Sequence, residues 1–462
     1  MTIITNKCDN DHAIFQCCAK FIKRFGINRL LRVVNASKEK GISANVLFAY
    51  LLGLVFTGKN HYTLLETLQV NVGFAKDAVY RFLNKATINW ENFILRLSSA
   101  VIPEVRKLTS EERKAALVID DSPYYRNRSK KVEMLSRCYD HVKNTYYKGL
   151  TLLTLGWTDG QTFIPVNYRL LGSSNDKSLL VKSQVREDKR TIATKRRIDA
   201  RKEKPALVLE MLKAVKGTAA EAKYVLFDSW FAFPAIILSI KGLGFHVVAR
   251  LKNNENFRYA FNGENLSISQ IYRANNKRRG KSRYLLSVIV YVRHNDFSEP
   301  VQAKLVYVRS KGNRKKWIAL ISTDMSLAED EIVALYGKRW DIETFHKMIK
   351  SYLRLAKEFQ VRSFDGMTAH TAVVLTRYTL LSLENRENKD DRTLGELFYI
   401  YCKELEDISF GYAFSLIISV IEQCLNEYLC LTKSLVNAFV ENFLACLPAF
   451  IKEKLGLLVC ES

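Results

Sequence analysis

The sequence predicts an α/β protein whose core is interrupted by a β-rich stretch and flanked by helical regions at both ends. Three observations predict it. Apolar positions recur at helical spacing through Phe21–Val34 and Val46–Phe56. Short apolar runs, Ala-Leu-Val-Ile before Asp120-Asp121 and Tyr-Val-Leu-Phe before Asp228, read as buried strands. Between them and a late helix lie alternating segments, Tyr284–Arg293 and Ala303–Arg309, set among basic loops.

Taken in order, residues 1–110 form a helical amino-terminal domain expected to bind DNA. Within it Ala75–Ala86 reads as a recognition helix, because Arg81 and Lys85 stand four apart on one face; a helix packed into the core is the competing reading. Residues 111–251 form the first part of the core, with strands over Ala115–Ile119, Gly149–Trp157, Thr162–Leu171, Tyr224–Phe227 and Phe245–Leu251. A basic stretch, Arg186–Lys204, leads into a helix over Ala206–Val215, and another helix runs from Pro234 to Lys241. Residues 252–316 are the β-rich insertion. Residues 317–385 return to the core through the strand Trp317–Ser322 and a helix over Ala328–Leu355. Residues 386–462 are helical. At 462 residues, two or three domains are expected.

Composition narrows the function. Lys and Arg number 71 against 47 Asp and Glu, a formal charge of +24. An excess of that size over a chain this long attracts phosphate backbones, so nucleic acid is the expected partner. No basic amphipathic helix or lipidation signal at the termini supports a membrane-surface role. The apolar stretch Phe410–Leu431 is broken by Glu422, Gln423, Asn426 and Glu427, which argues against a membrane span. Nine scattered cysteines include no CxxC pair and no zinc spacing, so reduced thiols are expected. The amino terminus lacks a secretory pattern, and a cytoplasmic location follows as the expectation.

The chemistry points to carboxylates. Strands of an α/β sheet deliver side chains to their carboxyl edge, where Asp120, Asp121 and Asp228 fall. A third acid on a later helix would complete an oxygen cluster suited to magnesium. On the helix that follows, Tyr336, Arg339, Glu343 and Lys350 are separated by steps of three, four and seven, which return to one stripe. One acid flanked by an Arg and a Lys can hold a metal while its neighbours grip phosphate. An ordinary Arg339–Glu343 surface pair gives the same spacing.

Tyr336-(2)-Arg339-(3)-Glu343-(6)-Lys350 resembles the Y-R-E-K signature of DDE transposases of the insertion-sequence-four type, and Tyr336–Lys350 as a whole is similar to the corresponding helix of the transposon-five transposase. The resemblance covers roughly Ala115–Leu355. It implies an RNase H-like core, with Asp121, Asp228 and Glu343 as catalytic and metal-binding residues. Leu117–Ser122 matches the family's apolar strand, acid and hydroxyl, which favours Asp121; Asp120 is the alternative, since a one-residue slip turns the side chain to the other face. Two Mg²⁺ ions, replaceable by Mn²⁺, are implied as cofactors. So are DNA contacts from Tyr336, Arg339 and Lys350, and stacking of Trp317 on a flipped base, for which packing at a strand end is the alternative. The implied partners are double-stranded DNA, as transposon terminal inverted repeats and target, and a second copy of the chain in a synaptic homodimer. The implied location is the bacterial nucleoid. His346, one turn beyond Glu343, and His141 carry no assigned role.

Overall fold

The computed structural model describes residues 13–37, 41–67, 72–110, 112–140, 143–183, 190–278, 284–310, 313–388, 393–428, 432–448 and 451–452. The chain opens with α1 (Ala13–Arg24), α2 (Ile27–Val33), α3 (Ala44–Leu54), α4 (Lys76–Leu83) and α5 (Trp90–Lys107). Gly26, at φ 57°, makes the left-handed turn between the first two helices, a conformation that costs glycine nothing. Ser43 and Asn89 cap α3 and α5 by accepting from the backbone N–H of Val46 and Asn92. Leu47, Phe48, Leu51, Leu52 and Leu54 of α3 are buried, as are Trp90, Phe93, Leu97 and Val101 of α5, so these helices belong to the hydrophobic core.

One sheet runs through the rest of the molecule. Its strands are β1 (Ala116–Tyr125), β2 (Ser136–Asp140), β3 (Thr145–Thr158), β4 (Phe163–Leu171), β5 (Tyr224–Phe227), β6 (His246–Leu251), β7 (Arg258–Phe261), β8 (Glu264–Ser267), β9 (Tyr284–Val292), β10 (Val301–Ser310) and β11 (Asn313–Ser322). The order is β2-β3-β1-β5-β6-β11-β10-β9-β7-β8, with β4 also paired to β3. Gly149–Thr158 of β3 lies antiparallel to the whole of β1, and β1 continues past the apolar run to Tyr125. β5 lies parallel to β1, and β6 to β5. β11 then pairs antiparallel with β6, so β7–β10 extend the same sheet.

The connecting helices are α6 (Ile192–Asp199), α7 (Lys204–Val215), α8 (Pro234–Gly242) and α9 (Ile268–Ala274), followed by α10 (Glu329–Gly337), α11 (Trp340–Ser351), α12 (Phe364–Glu387), α13 (Leu394–Tyr428) and α14 (Lys433–Ala445). α12 is buried along nearly all its length, and Phe163 of β4, Phe345 of α11 and Tyr378 of α12 pack ring against ring beneath it. Among the described residues no helix is long and apolar enough to cross a membrane, and Cys17, Cys18, Cys138, Cys402, Cys424 and Cys446 are free thiols.

Three elements differ from their sequence reading. The helix expected over Ala328–Leu355 is two helices, broken where Lys338 N and Arg339 N donate three residues back, to Leu335 O and Tyr336 O. Lys338 Nζ fixes that turn by donating to Lys114 O (2.7 Å) and Asp159 O (3.0 Å). The expected recognition helix stops at Leu83, and Lys85 lies beyond it, donating to Ser37 O; Arg81 stays exposed on α4. Arg81 and Lys85 therefore do not share a helix face. Part of the basic stretch is α6, whose Arg196 and Arg197 are buried in ion pairs.

Candidate active site

Parallel pairing of β1 with β5 brings the acids of the two strands to the same sheet edge. Side chains alternate along β1. Asp120 and Ser122 consequently face α11: Lys350 donates to Ser122 Oγ, and His346 Nδ1 stands 3.7 Å from Asp120 Oδ2. Asp121 faces the other way, where Lys204, the first residue of α7, donates to its Oδ2 at 2.5 Å. Lys204 also sits over the Trp230 ring, 5.5 Å from its centroid. Asp228, just past β5, accepts from Trp230 N at 2.9 Å.

The electrostatics of this edge are those of crowded like charges. Burial, then the negative charges of Asp121 and Asp228, push the Asp120 carboxyl up to about 7, against the pull of Arg339. Asp228 is raised as well, by burial first and by Asp121, while the Trp230 N–H and Arg339 act in the opposite direction. Burial pulls Lys350 down to about 8 despite Asp120, and burial with the Lys350 charge takes His346 down to about 3. His346 is thus a neutral ring beside Asp120, and its Nε2 has no hydrogen-bond partner among the described residues.

The signature residues lie along α10 and α11. The Arg339 guanidinium stands 5.8 Å from the centroid of the Tyr336 ring and donates to Glu343 Oε1 at 2.5 Å. Glu343 is therefore engaged by its i−4 arginine, while Lys350, two turns on, reaches the β1 face. Trp317 is stacked on Tyr272 at 4.9 Å between centroids and meets Tyr307 edge-on at 5.1 Å. It remains partly exposed, in a cleft shared with Asn253, Arg273 and Lys316. His141 lies outside the described residues.

Sequence reasoning missed Lys204 and noted Ser122 only as the hydroxyl of the strand motif, with no contact assigned to it. Ser122 had a signal, lying two residues from Asp120 and so on the same strand face; Lys204 had none, because its approach to Asp121 depends on how α7 packs. The donors fit a hard divalent ion such as Mg²⁺ or Mn²⁺: they are carboxylate oxygens, and their mutual repulsion is what a cation would relieve. Among the described residues no group of three or more His, Cys, Asp or Glu side chains is placed to hold a metal ion, and Glu343 is turned toward Arg339.

No curated protein matches this chain. The family model for the DDE superfamily endonucleases matches residues 41–309, more than half of the sequence. That span includes the Asp120-Asp121 pair and Asp228 and ends ahead of the helix that carries Glu343. On that match, the chain belongs to the DDE superfamily endonucleases.

Proposed function

We propose that the protein is a cut-and-paste DNA transposase of the insertion-sequence-four type, acting on the ends of its own element. The observation that carries this reading is the meeting of Asp120, Asp121 and Asp228 at one sheet edge, flanked by the helix with Arg339, Glu343 and Lys350. The strand order β4-β3-β1-β5-β6, three antiparallel and two parallel, supports an RNase H-like core with β7–β10 as the insertion. Asp228 and Glu343 are the second and third carboxylates. For the first, expected at Asp121, we assign Asp120, on the face that α11 covers; Asp121 is tied to Lys204 on the opposite face.

Two divalent ions, Mg²⁺ or Mn²⁺, would supply an activated water and neutralise charge at the departing 3′ oxygen. Asp120, Asp228 and Glu343 would hold them, Glu343 by exchanging its Arg339 partner for metal. Arg339, so released, and Lys350 bind the phosphate, and Tyr336 orients Arg339 through its ring. Cleavage, hairpin formation and strand transfer are all phosphoryl transfers, so one site that positions and neutralises serves each of them. A homodimer completes the synaptic complex, with α13 and α14 as the interface; exposed Ile417, Val420, Leu435 and Phe439 support that choice. Sedimentation with end DNA tests it, and one subunit per complex would refute it.

The test of the chemistry is nicking of a labelled element end in Mg²⁺. Asp120→Asn, Asp228→Asn and Glu343→Gln are each expected to cut at least roughly a thousandfold slower, several kcal/mol of transition-state stabilisation, while binding the end as before. Wild-type nicking by Asp228→Asn or Glu343→Gln would reject the site. Loss of nicking in Asp121→Asn alone would return the first position to Asp121. The Arg339–Glu343 pair favours one second reading, a DNA-binding protein that does not cut; a plasmid carrying both ends, yielding no product in Mg²⁺, would establish it.

A further inference from the structure

A cationic trough opens where β1 ends. The segment that follows β1 and the segment after α11 line a cleft of about 860 Å³, with Arg126, Arg128, Lys130 and Lys131 on one wall and Lys357 and Arg362 on the other. None of its described lining residues is acidic. Arg128, Lys130, Lys131, Lys357 and Arg362 are exposed, and among the described residues none of their side chains forms an ion pair or hydrogen bond. The acid nearest in sequence, Glu133, is committed elsewhere: it accepts from Arg197 at 2.6 and 2.9 Å and from Phe364 N at 2.7 Å. Its own N–H donates to Arg362 O at 2.8 Å, locking the two walls together. Arg126 N donates to Lys148 O and Lys148 N to Asn127 Oδ1, which pin the first wall to β3. The trough is thus a fixed concave surface of uncompensated positive charge.

It is also continuous with the candidate active site. Tyr125, at its mouth, is fixed by donating to Asp140 Oδ2 at 2.6 Å, and its ring centroid lies 5.9 Å from Lys350 Nζ and 5.0 Å from Lys143 Nζ. Lys350 donates to Ser122, three residues and about 10 Å of strand back along β1. Cations therefore mark an unbroken path from the sheet edge to Arg362. Polyanions with a regular phosphate spacing suit such a path.

We propose that this trough seats the phosphate backbone of duplex DNA on the Lys350 side of the cleavage point, a sequence-independent track distinct from the carboxylate centre. The assignment rests on the DNA-cleaving reading above, and its test separates the two. Binding of a duplex is measured in EDTA across a salt series, so no cleavage is involved. The triple variant Arg128→Ala/Lys130→Ala/Lys131→Ala is expected to lower the slope of log K against log salt by about three, roughly 0.9 for each phosphate that is no longer neutralised. Arg128→Lys/Lys130→Arg/Lys131→Arg, which preserves charge and guards against misfolding, keeps the wild-type slope. An unchanged slope in the triple alanine variant would overturn the proposal whatever the cleavage assay shows. A drop confined to double-stranded RNA would overturn the choice of DNA. A drop with DNA in a protein that never cuts would leave the track standing and remove only the nuclease.

Discussion

Two charged clusters of the molecule, one around α6 and one at the carboxyl end of β1 and β5, are built on opposite principles. Around α6, Arg196 and Arg197 are buried with Glu91, Glu133 and Asp365, and every charge has a partner. Arg197 bridges Glu133 and Asp365, Arg196 joins Asp365 at 2.5 Å and Glu91 at 3.3 Å, and its remaining N–H reaches Ile88 O. At the sheet edge, Asp120, Asp121 and Asp228 are carboxylates that repel one another. Burial alone would raise Glu91, yet Arg196 and Arg169 hold it below its ordinary value, whereas Asp120 climbs to about 7. The first cluster fastens α6 to α5 and α12 and has nothing left to bind with. The second has one ion pair, Lys204 to Asp121, and leaves Asp120 and Asp228 without a lysine or arginine ion pair among the described residues, and that is where a cation finds work.

The largest effect should come from breaking the paired cluster. Arg197→Met leaves Glu133 and Asp365 buried without their bidentate partner, and removal of one member of a buried pair costs about 3–5 kcal/mol. Urea unfolding reads that loss directly. A variant as stable as wild type would mean that α6 is not fastened by its charges.

The crowded cluster should respond in the opposite sense. An aspartate whose folded-state pKa lies above its unfolded value of about 4 lends stability below that pH and loses it as pH rises through the folded value, here about 7. In EDTA the wild-type protein should therefore lose stability across that window, while Asp120→Asn, which has no proton to give up, should not. At pH 7.5 the variant is expected to melt several degrees higher than wild type, with the gap closing near pH 4, as followed by circular dichroism. Mg²⁺ sharpens the contrast: it should raise the wild-type melting temperature, by binding the folded state alone, and leave the variant little changed. A variant that melts lower than wild type at pH 7.5 would show that the Asp120 charge is compensated.

The sequence displays these clusters unequally. The carboxylate edge is legible because strand ends announce themselves: Ala-Leu-Val-Ile and Tyr-Val-Leu-Phe are too apolar to be anything but buried, and β1 and β5 form there. The alternating texture of β9 and β10 is legible for the same reason, and so are the helical ends. The orientation of Asp120 against Asp121 is not, since adjacent strand residues differ only in which face they take, and α7 and α11 decide what each face meets. The break between α10 and α11 is hidden because its cause is the reach of Lys338 to two distant carbonyls. Least legible of all is the fate of a basic run. Arg196 and Arg197 stand in sequence only as part of the basic stretch Arg186–Lys204, and long-range pairing to Glu91, Glu133 and Asp365 is what sends them inside.

That last point yields the smallest effect, a control within a single stretch of chain. Arg201 lies four residues beyond Arg197 and makes an ion pair of similar length, 2.6 Å to Asp176 Oδ1, but the two side chains are 37% and 76% exposed. Water screens such a pair, and holding two long side chains together costs entropy that offsets the attraction. Arg201→Ala should leave the melting temperature within about two degrees of wild type. Arg197 and Arg201 have the same charge and ion pairs of nearly the same length, but Arg197 is buried between two carboxylates whereas Arg201 meets one at the surface. Equal losses from Arg197→Met and Arg201→Ala would mean that pairing distance, and not exclusion of water, sets the strength of the α6 cluster.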